Sequence, residues 1–310
     1  MSMSKTVVIT GTTRGIGRVT AEELAAAGYR VITLVRDLAA GLTVREAIVA
    51  AAPKSRLDVV HCDLGSLASV RQAAGLVRRE TLTIDCLINN AGIVSLRRAT
   101  SVDGFELVFA TNHLGPFLLT ELLLDRIARG GRIINVASRI HFKGSLDLAQ
   151  VVAPTQSSYG PRAAYAQSKL ANVLHTFALA RRLAGRGIAV NCLHPGVVRS
   201  GLLPPWIRTI KPLISPEMAD VTRGARTTLY LALDAAAGAL NGMYLDENQK
   251  VRPAAPLAQS IALQEALWAA SMAWVDEAGS PASARTGHEP SEAGMWRRTD
   301  EQRDVTDSPS

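Results

Sequence analysis

The amino-acid sequence predicts an α/β protein with a doubly wound parallel sheet of about seven strands and helices on both faces. Short apolar runs alternate with segments of helical periodicity over roughly the first 275 residues, which is the pattern of repeated strand–helix–strand units. The short runs show no clean alternation of apolar and polar residues, as expected of strands buried on both faces. The first run ends at a glycine-rich turn that leads directly into a helix. Together these observations favour a sheet of the Rossmann type.

The predicted elements follow one another in a regular order. Strands are predicted over residues 5–10, 30–35, 57–62, 84–88, 131–137, 188–192 and 242–245. Helices are predicted over residues 15–27, 42–52, 66–79, 103–128, 163–183, 223–233 and 257–275. Residues 138–162 and 199–216 interrupt the order, and long irregular segments in a compact domain are often lids or binding loops.

One large domain accounts for most of the chain. The sequence has 310 residues and a hydrophobic content of 47%, which is enough for one sizeable core, and we assign residues 1–278 to this domain. Residues 279–310 are polar, poor in apolar side chains and without periodicity. This tail is therefore predicted to be disordered.

Charge, the length of the apolar runs and cysteine spacing argue against several classes of function. The formal net charge is +7, but the arginines are scattered and aromatic residues make up only 5%, so nucleic acid is not an expected partner. The apolar runs are shorter than the roughly 18 residues that a membrane helix needs, so no membrane anchor is expected. Cys62, Cys86 and Cys192 are isolated and lack metal-ligand spacing. They are expected to be buried, with no metal bound, in a cytoplasmic protein.

A tyrosine and a lysine lie one helical turn apart in the predicted helix 163–183. Tyr165 and Lys169 are four residues apart, so their side chains emerge on the same face. A phenol titrates near pH 10 in water, and a nearby ammonium lowers that pKa because it favours the phenolate. Such pairs also occur by chance on surface helices, so this pair is informative only together with other motifs.

The glycine-rich turn is typical of a dinucleotide site. It reads Thr10-Gly11-Thr12-Thr13-Arg14-Gly15-Ile16-Gly17. Its glycines allow a tight turn and the close approach of a phosphate. The N-terminus of the helix that follows directs unpaired N–H groups towards the pyrophosphate. A glycine-rich turn without a ligand is the alternative, which the position between the first strand and the first helix disfavours.

The end of the second strand favours NADP over NAD. A carboxylate there would hold the ribose hydroxyls of NAD and repel a 2′-phosphate, whereas an arginine offers a bidentate fork for phosphate. The chain has Arg36 at this place, and Arg14 lies in the nearby turn. Asp37 is a signal in favour of NAD, but it comes one residue late.

With these motifs the chain resembles the short-chain dehydrogenase/reductase family over nearly all of its length except the tail. Four signatures coincide in order along the sequence. They are the glycine-rich turn, Asn89-Asn90-Ala91-Gly92, a serine after the fifth strand, and Tyr165 with Lys169. Within the family the chain is most similar to the retinol-dehydrogenase group, because of residues 111–117, 168–174 and 194–198 and the long interval between Ser138 and Tyr165.

The resemblance implies a role for each catalytic residue. Tyr165 is the proton donor to the substrate oxygen in reduction, or the acceptor in oxidation, and Ser138 hydrogen-bonds the same oxygen. Lys169 holds the nicotinamide ribose hydroxyls and lowers the pKa of the tyrosine. Asn112 distorts the fourth helix and positions a water that links Lys169 to solvent.

The expected cofactor contacts come from the turn and from the ends of several strands. Asp63 and Leu64 follow the third strand, where the family contacts adenine, and residues 195–200 lie where it contacts nicotinamide. The full set is Gly11, Thr13, Arg14, Gly15, Ile16, Gly17, Arg36, Asp63, Leu64, Asn90, Ala91, Gly92, Tyr165, Lys169, Pro195, Gly196, Val198 and Ser200.

The two irregular segments are expected to hold the substrate. They contain leucine, isoleucine, proline and few acidic residues, which indicates a hydrophobic substrate. The candidate contacts are His141, Leu202 and Trp206. His113 and His194 are interpreted as structural residues.

These features predict an NADP(H)-dependent oxidoreductase. It would transfer a hydride between nicotinamide and a ketone, an aldehyde or a secondary alcohol, as a ketoreductase of secondary metabolism. Two alternatives stay open: a step without net redox change, such as epimerisation, dehydration or cyclisation, and a protein that senses NADP(H) without turnover. A sensor has no use for the proton relay of Asn112, Ser138, Tyr165 and Lys169. The resemblance also implies a homodimer or homotetramer formed through the fourth and fifth helices.

Overall fold

The structure is a computed structural model that describes residues 4–152, 159–196, 220–278 and 296–297. Within these residues one sheet of nine strands forms the centre. The strands are β1 (Thr6–Thr10), β2 (Arg30–Val35), β3 (Arg56–His61), β4 (Ile84–Asn89), β5 (Ile127–Val136), β6 (Ala189–Leu193), β7 (Met243–Leu245), β8 (Val251–Arg252) and β9 (Trp296–Arg297). Their spatial order is β8-β7-β6-β5-β4-β1-β2-β3-β9. Strands β1 to β7 are parallel, and β8 and β9 pair antiparallel at the two edges.

Helices cover both faces of this sheet. They are α1 (Gly15–Ala26), α2 (Leu38–Ala51), α3 (Leu67–Glu80), α4 (Leu107–Phe109), α5 (Gly115–Leu123), α6 (Leu148–Val152), α7 (Pro161–Arg182), α8 (Val221–Leu233) and α9 (Ile261–Glu277). Buried side chains of α1, α2 and α8 form one apolar layer, and those of α3, α5, α7 and α9 form the other. This doubly wound arrangement confirms the predicted fold class; the two short edge strands are additions to the seven that were predicted.

Strands β1, β2 and β3 follow one another towards one edge of the sheet and β4, β5 and β6 towards the other, so the strand order reverses between the neighbours β1 and β4. In open sheets of this kind, ligands bind outside the carboxyl ends of the strands at this reversal. The glycine-rich turn follows β1, and Asn90 follows β4. The fold therefore brings both segments to the expected ligand position.

Two helices begin at residues other than those predicted, because an acidic side chain caps the N-terminus of each. The helix predicted over 42–52 begins at Leu38, since the Asp37 carboxylate accepts a hydrogen bond from Ala40 N–H at 3.0 Å. The helix predicted over 103–128 begins only at Leu107, where the Glu106 carboxylate accepts from the N–H groups of Val108 and Phe109.

The predicted irregular segment 138–162 contains regular structure. A 3₁₀ turn covers Arg139–Lys143, and the short helix α6 follows it. Two residues of the polar tail form the edge strand β9. Trp296 and Arg297 pair with Val60 and Val59 of β3. The rest of the tail lies outside the described residues, so its predicted disorder stays a prediction.

One π-helical turn, Ala110–Leu114, joins α4 to α5. The N–H of Gly115 donates to the carbonyl of Ala110, five residues back instead of four. Such a turn inserts an extra residue and locally reorients the helix, and it is frequent at functional sites. The turn contains Asn112, the residue predicted to distort this helix.

Among the described residues one helical stretch, Leu107–Arg126, is long and apolar enough to cross a membrane. However, 78% of its apolar window is buried inside the fold, as in a core helix. Cys62, Cys86 and Cys192 are free and buried, as predicted. Burial raises the pKa of each of these thiols to about 12, so none is a reactive thiolate at neutral pH.

The C-terminal helix α9 covers α5 and α7. Trp268 packs edge-on against Phe117 of α5 at 5.2 Å between ring centroids, and it also contacts His175 of α7. Trp274 packs against Phe109 at 6.3 Å. The resemblance places the subunit contact on these same helices, so an oligomer through them stays a prediction that has to accommodate α9.

Candidate active site

The glycine-rich turn has the geometry of a phosphate cradle. Gly11 has φ +74° and Gly15 has φ +62°, conformations that side chains with a Cβ rarely adopt. A Cβ on Gly17 would lie 2.1 Å from the Gly11 carbonyl oxygen and 2.4 Å from Asn90 Nδ2, so only glycine allows α1 to start directly on the turn. No atom lies within 4 Å of the Cβ position at Gly15, so the space there is open.

The start of α1 has N–H groups available for an anion. Arg14 is the residue before the helix, and its side chain makes no capping hydrogen bond. By contrast, Asp37, Ser66 and Ser260 cap α2, α3 and α9. The first N–H groups of α1 and the positive end of its dipole therefore fit the pyrophosphate of a dinucleotide.

Two arginines flank this position. Arg14 and Arg36 are exposed, and neither side chain has a partner among the described residues. Asp37 is also exposed, but its carboxylate already accepts the hydrogen bond that caps α2. In the part of the chain that the structure describes, the Arg36 guanidinium at the end of β2 thus has no partner, while the Asp37 carboxylate is engaged in the cap of α2.

The segment after β3 forms a tight turn. The Asp63 carboxylate accepts from Gly65 N–H at 2.9 Å, and the Asp63 N–H donates to Ser69 Oγ at 3.0 Å. Leu64 is buried, and its carbonyl oxygen would lie 2.2 Å from a Cβ on Gly115. This turn is therefore fixed against α5, at the carboxyl edge of the sheet.

The Asn90–Gly92 segment is tied to the glycine-rich turn. The Asn90 side-chain amide donates to the carbonyls of Thr10 and Gly11 at 2.9 and 3.1 Å. The backbone N–H groups of Asn90 and Ala91 both donate to Thr10 Oγ1 at 3.0 Å. Thr10 is a site residue that sequence reasoning did not single out; its position directly before the first glycine was the available signal.

Lys169 lies in the interior of the site. Its Nζ donates to the carbonyl of Val136 at 2.8 Å, and the residue is only 3% exposed. A Cβ on Gly92 would lie 3.3 Å from this Nζ, so glycine leaves the ammonium accessible from the β4 side. An ammonium has three donors, and Val136 is the one acceptor recorded for it among the described residues.

Asn112 connects the π-helical turn to the segment after β4. Its Oδ1 accepts from Ile93 N–H at 2.7 Å, and its Nδ2 donates to the Ile93 carbonyl at 3.0 Å. The Nδ2 also donates to Ser168 Oγ at 3.0 Å, and that hydroxyl donates to the carbonyl of Tyr165. Asn112 thereby joins the π-helical turn, the segment after β4 and the helix that carries the Tyr165–Lys169 pair. Ser168 is a second member of the site that sequence reasoning did not assign.

Tyr165 and Ser138 form the part of the site that can hold a reacting oxygen. Both side chains are half-buried. Burial raises the pKa of Tyr165 to about 12, and a hydrogen bond from the Ser138 hydroxyl opposes this rise. At neutral pH the phenol is therefore protonated, which is the form that donates a proton.

The pKa of Tyr165 is shifted in the direction opposite to the one that the resemblance implied. Lys169 Nζ lies 5.7 Å from the centre of the Tyr165 ring, yet the pKa of the phenol is raised and not lowered. Burial lowers the pKa of Lys169 itself to about 8, so the ammonium loses part of its charge near neutrality. In this structure burial is the largest cause of both shifts, and it disfavours the charged form of each group.

The remaining predicted residues divide into three groups. Pro195 and Gly196 follow β6 at the same edge of the sheet, and Gly196 has φ +84°. Val198, Ser200, Leu202 and Trp206 lie outside the described residues. His141 is fully buried, and both of its ring nitrogens contact backbone groups, so the prediction that it touches substrate does not fit this geometry.

Comparisons with known proteins agree with this geometry. The model of the short chain dehydrogenase family matches residues 5–210. Retinol dehydrogenase 13 of Homo sapiens is 39% identical over 282 residues, which cover 86% of this chain and 83% of that protein. An uncharacterized protein from Mycobacterium paratuberculosis has a similar solved structure, with a TM-score of 0.71, 35% identity, and coverage of 88% of this chain and 93% of that one. A blue fluorescent protein from a metagenomic library, solved in complex with NADPH, has a TM-score of 0.63, 26% identity and coverage of 79% and 97%.

Proposed function

Because this chain belongs to the short-chain dehydrogenase family of oxidoreductases, within its retinol-dehydrogenase-like group, we propose that it is an NADP(H)-dependent reductase of ketones or aldehydes. Proteins with this fold bind a nicotinamide cofactor. The preference for NADP(H), the carbonyl substrate and its hydrophobic character are parts of the proposal. The reverse reaction, oxidation of a secondary alcohol, uses the same groups.

The observation that carries the proposal is the pairing of a protonated phenol with a hydroxyl at the carboxyl edge of the sheet. Tyr165 holds its proton at neutral pH, because a phenol already titrates near pH 10 in water and burial raises this pKa further, to about 12. Ser138 lies beside it, so a carbonyl oxygen placed between them would accept two hydrogen bonds. These bonds strengthen as negative charge grows on that oxygen, which lowers the barrier to its reduction.

The chain's own residues would supply orientation and a proton. The cofactor, when bound, supplies the hydride. The free donors of Lys169 fit the hydroxyls of a ribose on the β4 side, where Gly92 leaves space. The uncapped start of α1 fits the pyrophosphate. Tyr165 then donates its proton to the oxygen of the substrate.

Residues around the site support a hydrophobic substrate. Leu96, Phe142 and Val152 are large apolar side chains that are 60%, 48% and 43% exposed. They lie on the segments that follow β4 and Ser138, and the Tyr159 hydroxyl joins these regions by donating to the Ser95 carbonyl at 3.1 Å. The named substrate of the curated relative, retinol, is of the same apolar class. A cytoplasmic location also remains part of the proposal, on the strength of the free cysteines.

Turnover with a carbonyl panel tests the function directly. We expect the purified protein to consume NADPH in stoichiometric amounts with apolar ketones or aldehydes, and to prefer them over small charged keto acids. Absorbance at the nicotinamide band and product analysis measure this. If NADPH binds but a substrate is isomerised or dehydrated without net consumption, the proposed reduction is wrong and the non-redox alternative holds.

Arg36 should decide the cofactor preference. Arg36→Ala removes an exposed guanidinium that fits the 2′-phosphate, and a hydrogen bond to a charged group contributes about 1.5 to 3 kcal/mol. We expect the Kd for NADPH to rise roughly 10- to 100-fold and the Kd for NADH to stay unchanged. Nucleotide fluorescence titration measures both constants.

Arg56→Ala is the matched control, because Arg56 is exposed at the opposite, amino end of β3. It should leave both constants unchanged. If Arg36→Ala raised the Kd for NADPH and the Kd for NADH by the same factor, Arg36 would not bind the 2′-phosphate.

A further inference from the structure

His141 is a fully buried histidine that contacts the backbone carbonyl of Ser138. The chain carries it in the 3₁₀ turn Arg139–Lys143, which begins directly after Ser138. The Ser138 carbonyl accepts two hydrogen bonds from this one residue, from the backbone N–H at 3.1 Å and from ring Nδ1 at 2.7 Å. The serine peptide is thus held by the histidine at two points.

The other ring nitrogen reaches a distant segment of the chain. Nε2 accepts a hydrogen bond from the backbone N–H of Ala255 at 3.1 Å. Ala255 is buried and precedes the 3₁₀ turn Pro256–Gln259, which leads into α9. A backbone N–H only donates and a carbonyl only accepts, so these two partners fix the neutral ring with its proton on Nδ1.

Packing fixes the ring in the same orientation. The His141 ring lies 4.3 Å from the ring of Phe142 and 4.7 Å from that of Tyr244, between centroids. The end of the turn packs closely against the helix that carries Tyr165. A Cβ on Gly144 would lie only 2.6 Å from the Ala166 carbonyl oxygen, so only glycine fits there. The turn is therefore clamped between α7 on one side and the Ala255 segment on the other.

We propose that His141 is a positioning residue, which sets the place of the Ser138 hydroxyl relative to Tyr165 by bridging the Ser138 carbonyl to the Ala255 N–H. This inference rests on the proposed function, because it gives His141 its effect through Ser138. The bridge also makes the geometry of the site depend on the segment that anchors α9.

A double-mutant cycle separates positioning from simple stabilisation. His141→Phe keeps the aromatic packing and removes both ring hydrogen bonds; we expect kcat to fall about 10-fold while the Kd for NADPH stays unchanged. In a Ser138→Ala background the same change should lower kcat less than about 2-fold, since no hydroxyl is left to position. His141→Asn, which restores a donor near the Nδ1 position, should recover part of the loss.

His175→Phe is the matched control. His175 is a buried histidine on α7, ten residues beyond Tyr165 and so about 15 Å along the helix. It should lower the melting temperature without lowering kcat. An unchanged kcat in His141→Phe, or the same fold-loss with and without Ser138, would overturn the proposal.

The ring itself gives a readout that does not need turnover. Nitrogen-15 NMR of histidine-labelled protein, assigned with the His141→Phe variant, should show a neutral Nδ1–H tautomer at pH 7. An Nε2–H tautomer or a cationic ring would contradict the bridge even if no substrate were found. A Ser138→Ala enzyme with undiminished kcat would instead remove Ser138 from the proposed function, which is a different failure.

Discussion

Tyr165→Phe should lower kcat by about three orders of magnitude while NADPH binds with an unchanged Kd. General acid catalysis by a positioned side chain typically contributes 10²- to 10⁴-fold, and this substitution removes the one donated proton without changing the ring. The phenol is half-buried and its pKa is about 12, so it carries that proton throughout the range from pH 6 to 9. Single-turnover kinetics with NADPH and a reducible ketone measure the effect.

Tyr230→Phe is the control for this experiment. Tyr230 is a half-buried tyrosine of α8, on the other face of the sheet, and the same loss of a hydroxyl there should leave kcat unchanged. Turnover by Tyr165→Phe near the wild-type rate would assign the proton transfer to another group.

Local chemistry explains why much of the fold could be predicted from the sequence. Strand β2, Arg30–Val35, was predicted at its observed bounds, because a short run rich in β-branched and apolar residues after a glycine is typical of a buried strand. Gly11, Gly15 and Gly17 are needed by the backbone itself, through positive φ or close approach, so their spacing is visible without coordinates. Tyr165 and Lys169 face one way because four residues make one helical turn.

The parts that could not be predicted depend on contacts between distant residues. Asp103 was expected to begin a helix, but its carboxylate accepts from Leu67 N–H at the start of α3, 36 residues earlier. His141 was expected to face substrate, because nothing in the sequence shows that Ala255 would approach its Nε2. The pairing of Trp296 with Val60 is equally non-local.

The directions of the pKa shifts of Tyr165 and Lys169 could not be predicted from the sequence either. Spacing shows that Lys169 and Tyr165 share a helix face, but the sign of a pKa shift depends on burial as well as on neighbouring charge. In the folded protein burial dominates for both groups, and it raises the pKa of the phenol and lowers that of the ammonium. Folding therefore removes much of the hydration of the Lys169 ammonium, and this desolvation lowers the stability of the folded protein.

Lys169→Met should abolish turnover and, at the same time, stabilise the fold. The substitution removes the ammonium donors that fit the nicotinamide ribose, so we expect the Kd for NADPH to rise about 10-fold or more. Burial lowers the pKa of Lys169 from 10.5 to about 8, which corresponds to a cost of about 3 kcal/mol below pH 8. The lost hydrogen bond to Val136 offsets roughly 1 kcal/mol of that gain. The melting temperature at pH 7 should therefore rise by about 4 °C.

The pH dependence of stability gives the sharper test, because its sign follows from the same shift. Between pH 8 and 10.5 the unfolded chain holds a proton on Lys169 that the folded chain has released, so the wild-type free energy of unfolding should rise with pH across this window. That part of the rise should be missing in Lys169→Met and present in Lys143→Met, since Lys143 is exposed. Urea unfolding at several pH values measures the difference between each variant and the wild type. A difference that stays constant across the window would mean that Lys169 titrates at its ordinary pKa, and the cost assigned to its burial would then be absent.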